Sequence, residues 1–172
     1  RRKRWWPAGV SAATFLLLAR QFEDAKTRAD KALALDPKAV PAIIVRANAI
    51  ANLKDLDGAI REMEEALKVQ PDEARFRGSL AGLGAAKGNT GDAEREFRRA
   101  IEIDPKSVTS QIAFGSFLLQ TNRPAEAEQA MLKAVELEPK NLLANRALAV
   151  LYLSTRRLPQ AEPYLKNIAD AS

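Results

Sequence analysis

Small and apolar residues recur along this chain at a fixed step. Ala25, Ala59, Ala93, Ala127 and Ala161 are each 34 residues apart, and so are Ala32, Ala66, Ala100 and Ala134. One turn after the first alanine of each set stand Ala29, Met63, Phe97, Met131 and Leu165. That i, i+4 spacing puts each pair on one helical face. Each such stretch runs into a proline: Pro37, Pro71, Pro105 and Pro139. Proline lacks the N–H that a continuing helix needs and pushes the residue before it out of the helical region, so these are helix stops.

A second helical pattern lies between each proline and the next alanine pair. It carries Phe15 and Leu16, Ala49 and Ile50, Leu80 and Leu83, Phe114, Phe117 and Leu118, then Leu148, Leu151 and Tyr152 at buried spacing. The pattern predicts five two-helix repeats beginning at residues 6, 40, 74, 108 and 142. Helix A is expected over 8–19, 41–53, 74–87, 108–121 and 142–155, and helix B over 22–35, 56–69, 91–103, 124–137 and 159–169. Pro7 and Pro41 read as helix starts, where a missing donor is not needed. Lys54-Asp55, Gly88-Asn89-Thr90 and Thr121-Asn122-Arg123-Pro124 read as turns whose Asp, Asn and Thr cap the next helix. Pro163, about one turn into the last helix, predicts a late start or a bend. A single two-helix unit cannot bury both apolar faces, so the stack is the folding unit: an all-α array over 6–172, preceded by a short segment, 1–5.

Charge changes this picture only at one end. The net charge of +5 suggests nucleic acid, but Arg1, Arg2, Lys3 and Arg4 supply most of it. The remaining 23 basic and 22 acidic residues nearly cancel, so the repeats carry no basic stripe and nucleic acid is not the expected partner. Arg1–Trp6, with Trp5 and Trp6 beside the basic run, is the one stretch suited to a membrane interface or to stacking on single strands. A start at arginine rather than methionine points to a fragment or processed product. The basic start and the apolar run from Val10 to Ala19 resemble a signal peptide, but no A-x-A site follows and the run falls in repeat register. No apolar stretch approaches the roughly 20 residues of a membrane span.

Chemistry is sparse. The chain has no cysteine and no histidine, which removes thiolate and imidazole ligands and the usual general base. Glu62, Glu64, Glu65 and Glu94 read as solvated carboxylates on polar helix faces. Gly82-Leu-Gly-Ala-Ala-Lys-Gly88 fits no phosphate-loop spacing and follows no strand. An enzyme is not expected, and neither is a cofactor or metal.

The 34-residue step with its small, small and proline anchors resembles the tetratricopeptide repeat family. The family's small residue at repeat position 8 is matched by Ala13, Ala47, Ala81, Gly115 and Ala149, and its alanine at 20 in all five repeats. Position 27 is alanine in four, with Ile168 in the last. The bulky position 4 departs, reading Gly9, Ile43, Arg77, Gln111 and Asn145. The wording is also similar to that of bacterial repeat proteins of envelope and export systems, which leaves a cytoplasmic or a periplasmic, envelope-associated setting open.

The resemblance implies a right-handed superhelical solenoid whose A helices line a concave groove for a peptide or helix of a protein partner. Carried over, the groove positions name Ile44, Asn48 and Asn52, then Arg75, Gly78 and Gly82, then Ile112, Ser116 and Gln120, and Arg146. Asn48, Asn52 and Gln120 can pair with the N–H and C=O of an extended peptide. The family's clamp for a carboxyl-terminal tail is missing. Asn48 matches its asparagine, but Ile44 replaces the lysine, and Ser79, Thr109 and Ala113 stand at the other positions. Gly78 and Gly82 would expose backbone to a closely approaching partner. The usual extra solvating helix is absent, so the last repeat needs a cover at Leu165 and Ile168, and self-association there is the alternative role.

Overall fold

The computed structural model describes residues 6–171, so Arg1–Trp5 of the basic segment, and the surface contact expected of it, lie outside the described residues. Among those described, ten α-helices follow one another without a strand: α1 (Trp6–Leu18), α2 (Phe22–Leu35), α3 (Val40–Asn52), α4 (Leu56–Val69), α5 (Ala74–Lys87), α6 (Thr90–Ile103), α7 (Val108–Gln120), α8 (Pro124–Leu137), α9 (Leu142–Ser154) and α10 (Leu158–Ala169). The all-α repeat predicted from the sequence is the fold. Odd-numbered helices are the A helices and even-numbered ones the B helices. The chain forms two compact units, one up to Ala93 and one from Glu94.

In the first unit α1 packs on α2 and α3, α3 on α4 and α5, and α4 on α5. Its core draws Val10, Ala13, Ala29, Ile43, Met63, Phe76 and Leu83 into one cluster. In the second unit α7 packs on α8 and α9, and α9 on α8 and α10. Phe97 touches both Phe114 and Phe117, with ring centroids 6.0 and 5.3 Å apart. This is repeat position 24 meeting positions 7 and 10 of the following repeat. The small residue at position 8 is a matter of clearance: a Cβ on Gly115 would lie 2.8 Å from Met131 Cγ and 3.3 Å from the Ala127 carbonyl oxygen.

Two turns alternate. After every B helix of the first four repeats the proline turn closes by an i→i+3 bond: Ala39 N to Asp36 O, Glu73 N to Gln70 O, Ser107 N to Asp104 O and Asn141 N to Glu138 O. Proline at the second position suits this turn because its φ is already set. Glu73, Ser107 and Asn141 then cap the next helix with their side chains.

After every A helix the chain enters the left-handed region, at Arg20 (φ 60°), Lys54 (72°), Gly88 (92°), Asn122 (60°) and Arg156 (59°). The following N–H reaches back to the A helix each time: Gln21 to Leu16, Asp55 to Ile50, Asn89 to Gly84, Arg123 to Leu118 and Arg157 to Tyr152. This is the Schellman closure. Four non-glycine residues adopt a conformation that costs roughly 1–2 kcal/mol. Lys54→Gly is therefore expected to stabilise by about 0.5–1 kcal/mol after glycine's own entropy cost, and Gly88→Ala to destabilise by about 1 kcal/mol. Urea titration followed by circular dichroism checks both.

Four expectations need correction. Asn122 and Thr121 do not cap α8: Asn122 is the left-handed residue, and the Thr121 hydroxyl donates back to the Phe117 and Leu118 carbonyls. Of the late start or bend expected at Pro163, the late start does not occur: α10 starts at Leu158 and carries the proline inside. The proline costs that helix one backbone hydrogen bond near its start, while Pro159 occupies a first-turn position that needs no donor.

Phe15 is 74% exposed and Leu165 43%, although both occupy core positions of the repeat. Each lies on an end face with no neighbouring repeat among the described residues. Finally, Glu62 and Glu94 are not simple solvated acids. Glu62 pairs with Arg46, which also reaches Asp30 at 3.2 Å. Burial pushes the Glu62 carboxyl above its ordinary range despite that partner. Burial opposes the charge on Arg46 too, but its two carboxylates together raise its pKa.

Candidate functional site

The residues named from the sequence lie along α3, α5, α7 and α9. In the first unit, Asn48 and Asn52 of α3 lie one turn apart and line a depression of about 380 Å³ together with Leu56 of α4 and Ser79, Gly82 and Ala86 of α5. Asn52 is exposed, and its Nδ2 donates to the Asn48 carbonyl oxygen at 2.8 Å. Its other amide atom, the oxygen, is an acceptor, while the Asn48 amide has no such bond among the described residues. Ile44 is half-buried and packs against the core, so it supports the floor instead of offering a polar contact.

Along α5, Arg75, Gly78 and Gly82 follow at repeat positions 2, 5 and 9. Arg75 is exposed but already neutralised, since its guanidinium forks onto Glu73 at 2.9 and 3.1 Å. That hydrogen bond holds the Glu73 carboxyl below its ordinary range, and the same carboxylate caps α5. A Cβ added at Gly78 or Gly82 would meet nothing within 4 Å. Neither glycine is required by packing inside the protein. Each weakens α5 by roughly 1 kcal/mol relative to alanine.

In the second unit Ile112 packs against Val108, Ala134 and Ala144, and the Ser116 hydroxyl donates to the Ile112 carbonyl at 2.9 Å. Gln120 and Arg146 are exposed. Around Arg146, α9 leaves Leu143, Val150 and Leu153 largely uncovered. Leu56 was absent from the sequence-derived set, and Ser79 was named there only as a clamp position. Their signal was available, because Ser79 directly follows Gly78 and Leu56 opens the helix after Asn52.

Two of the polar residues that replace the bulky position 4, Arg77 and Asn145, have work inside the fold. Arg77 Nη2 donates to the Pro71 carbonyl at 3.0 Å, and Asn145 Nδ2 to the Pro139 carbonyl at 2.9 Å. Asn145 is buried and also accepts from Asn167 at 2.8 Å. These donors satisfy carbonyls of the proline turn that an aromatic ring would only cover.

Charged side chains join successive repeats in the second unit. Arg123 donates to Glu94 at 2.6 Å and to Glu126 at 2.7 Å. One repeat later Arg157 reaches Glu128 at 2.5 and 3.1 Å, and Tyr152 Oη donates to the same carboxylate at 2.8 Å. In repeat numbering, both are position 16 meeting position 21 of the preceding repeat. The arginines hold Glu94 and Glu128 below the ordinary carboxylate range, while burial and then Glu128 push the Tyr152 hydroxyl up to about 12. No helix among the described residues is long and apolar enough to cross a membrane.

Comparison with known proteins places this geometry. A family model described as tetratricopeptide repeat matches residues 45–108 and again 112–172, well over half of the chain. No curated protein sequence matches. Among solved structures, a thermophilic tetratricopeptide protein of Thermus thermophilus superposes with a TM-score of 0.81 at 19% identity, over 96% of this chain and 90% of that one. PilF of Pseudomonas aeruginosa gives 0.72 at 21% identity, over 97% and 76%. MamA gives 0.64 at 16%, over 92% of each. At these identities the likeness speaks to the fold alone, and it agrees with the family match in sequence: the chain belongs to the tetratricopeptide repeat family.

Proposed function

We infer that this chain is a non-catalytic protein-interaction scaffold, and that the α3–α5 face receives an extended segment of a partner protein. Members of its family bind protein partners through stacked helix pairs. One observation carries the finer reading. Gly78 and Gly82 weaken α5 on its exposed face, and nothing inside the protein needs the space. Bare backbone at that point lets another main chain approach closely. The Asn48 amide and the Asn52 oxygen stand beside it as donor and acceptor for a peptide's C=O and N–H.

Capture from native extract with the whole chain, followed by affinity measurement on the captured partner, tests this. Gly82→Leu fills the depression and strengthens the helix, so folding is retained. It is expected to weaken binding by at least about thirtyfold, the equivalent of roughly 2 kcal/mol. Leu35→Asp, on an exposed position of α2, is expected to bind as wild type. Equal affinity of Gly82→Leu and wild type would remove the α3–α5 face from the function.

A further inference from the structure

A second depression in the first unit, of about 570 Å³, lies on the other side of α3 from Asn48 and Asn52. Ile43, which lines it, and Asn52 are nine residues apart, roughly two and a half turns, and so lie on opposite faces. The floor is apolar: Ile43 of α3 and Ala66 of α4 are buried, and Val69 beside them is largely exposed. Arg61, Glu65 and Val69 of α4 follow at i, i+4 and i+8, so this wall is about 12 Å long. That is the length of about four residues of extended chain.

The charges around this floor do not cancel. Both acids that line it are already paired: Glu62 accepts from Arg46, and Glu65 accepts from Lys68 at 2.5 Å. Arg46 is held from two sides, since its Nη1 also reaches Asp30 at 3.2 Å, and its Nη2 donates to nothing among the described residues. Lys38 on the proline turn and Arg61 on α4 make no ion pair among the described residues. Asp57, one turn before Arg61, is bound by Lys87, and Asp36 accepts the backbone N–H of Lys38. Two positive charges are thus left uncompensated over an apolar floor. The fold does not ask for this arrangement. In the second unit the repeat positions of Arg46 and Glu62 hold Phe114 and Ala130, both buried. Exchanging a partly buried ion pair for apolar side chains is often neutral or stabilising. We propose that this depression is a second binding site, which receives a short acidic segment of a partner protein. An apolar side chain of the segment rests on Ile43, Ala66 and Val69, and its flanking carboxylates meet Lys38 and Arg61. Arg46 Nη2 donates to a main-chain carbonyl between them.

Two blocked pentapeptides test this, one alternating aspartate with leucine and one with asparagine in place of every aspartate. Each is titrated into the isotope-labelled whole chain, and binding is followed by backbone amide shifts. The aspartate peptide is expected to shift Lys38, Arg46, Arg61 and Val69 together. The asparagine peptide is expected to bind at least about tenfold more weakly. Joint substitution of Lys38→Gln and Arg61→Gln, both at exposed positions, is expected to weaken the aspartate peptide by a similar factor. An unchanged circular dichroism spectrum confirms that the variant measured is folded. No shift with either peptide, equal affinity for the two, or shifts spread over basic residues elsewhere each overturn the proposal. So does a double variant that binds as wild type. Succinate alone, moving the same amides at the same concentration, also overturns it, because the site would then be one for a small anion.

Discussion

Phe76→Ala is expected to destabilise the chain by about 3–5 kcal/mol. Phe76 is the largest side chain of the first unit with no solvent exposure, and it joins Met63, Leu83 and Ile43 in one buried cluster. Removing its ring takes away both the transfer free energy and the contacts of every atom around it. Helices held at fixed separations by alanines such as Ala59 and Ala81 have little freedom to close over the gap. Because stability in a repeat array is largely local, the loss should appear first as unfolding of the first unit. Urea denaturation followed by circular dichroism gives the magnitude, and hydrogen exchange gives its location. A loss below about 1 kcal/mol would mean that the helices do close over the gap, and that the core is softer than its burial implies.

The second large effect is expected at Glu128. Its carboxylate accepts from Arg157 twice and from the buried Tyr152 hydroxyl. Glu128→Ala strands that hydroxyl without a partner, for an expected cost of about 1–3 kcal/mol at neutral pH. The acid also has a pH signature. Its folded pKa lies below the ordinary value, so its contribution is present above the unfolded pKa of about 4.3 and is lost as pH falls through the folded value. The stability difference between wild type and Glu128→Ala should therefore shrink in acid. Glu94 behaves in the same sense, because Arg123 and Arg98 lower it. Glu62, raised by burial, has the opposite sign, and its contribution is lost as pH rises from the unfolded value through the folded one. A pH series of urea midpoints for wild type and variant checks the prediction. A difference that stays constant down to pH about 3 would sink the assignment of the effect to the carboxylate charge.

The helices were legible because two signals coincided: a 3.6-residue apolar face, and a proline at one fixed place in each repeat. Predicted and observed ends differ by two residues at most, as at α1 and Trp6. The A-helix closures were illegible at Arg20, Lys54 and Arg156, since none of these residue types favours a positive φ. The backbone bonds on either side impose it there, and only Gly88 and Asn122 carried a compositional hint. The ion pairs between repeats were written in the sequence as a separation, Glu94 to Arg123 and Glu128 to Arg157, both 29 residues. A search for helical i, i+4 partners does not look that far. Of the candidate groove residues, Asn48, Asn52 and Gly82 are brought to one depression, whereas Arg75 and Ser116 turn their polar groups to partners within the chain. Residue type alone does not reveal which hydrogen bonds a side chain has already made.

The left-handed closure has a consequence for how such a chain changes length. It is built from main-chain hydrogen bonds and holds arginine, lysine, glycine and asparagine at the same point with nearly the same geometry. A stretch of 34 residues copied from any point in one repeat to the matching point in the next therefore arrives with both of its joints already formed. Duplication or loss of a whole period asks for no new turn and no new cap. The genetic event that lengthens the chain is then structurally silent at the splice, and selection acts only on the surfaces that the added helices expose.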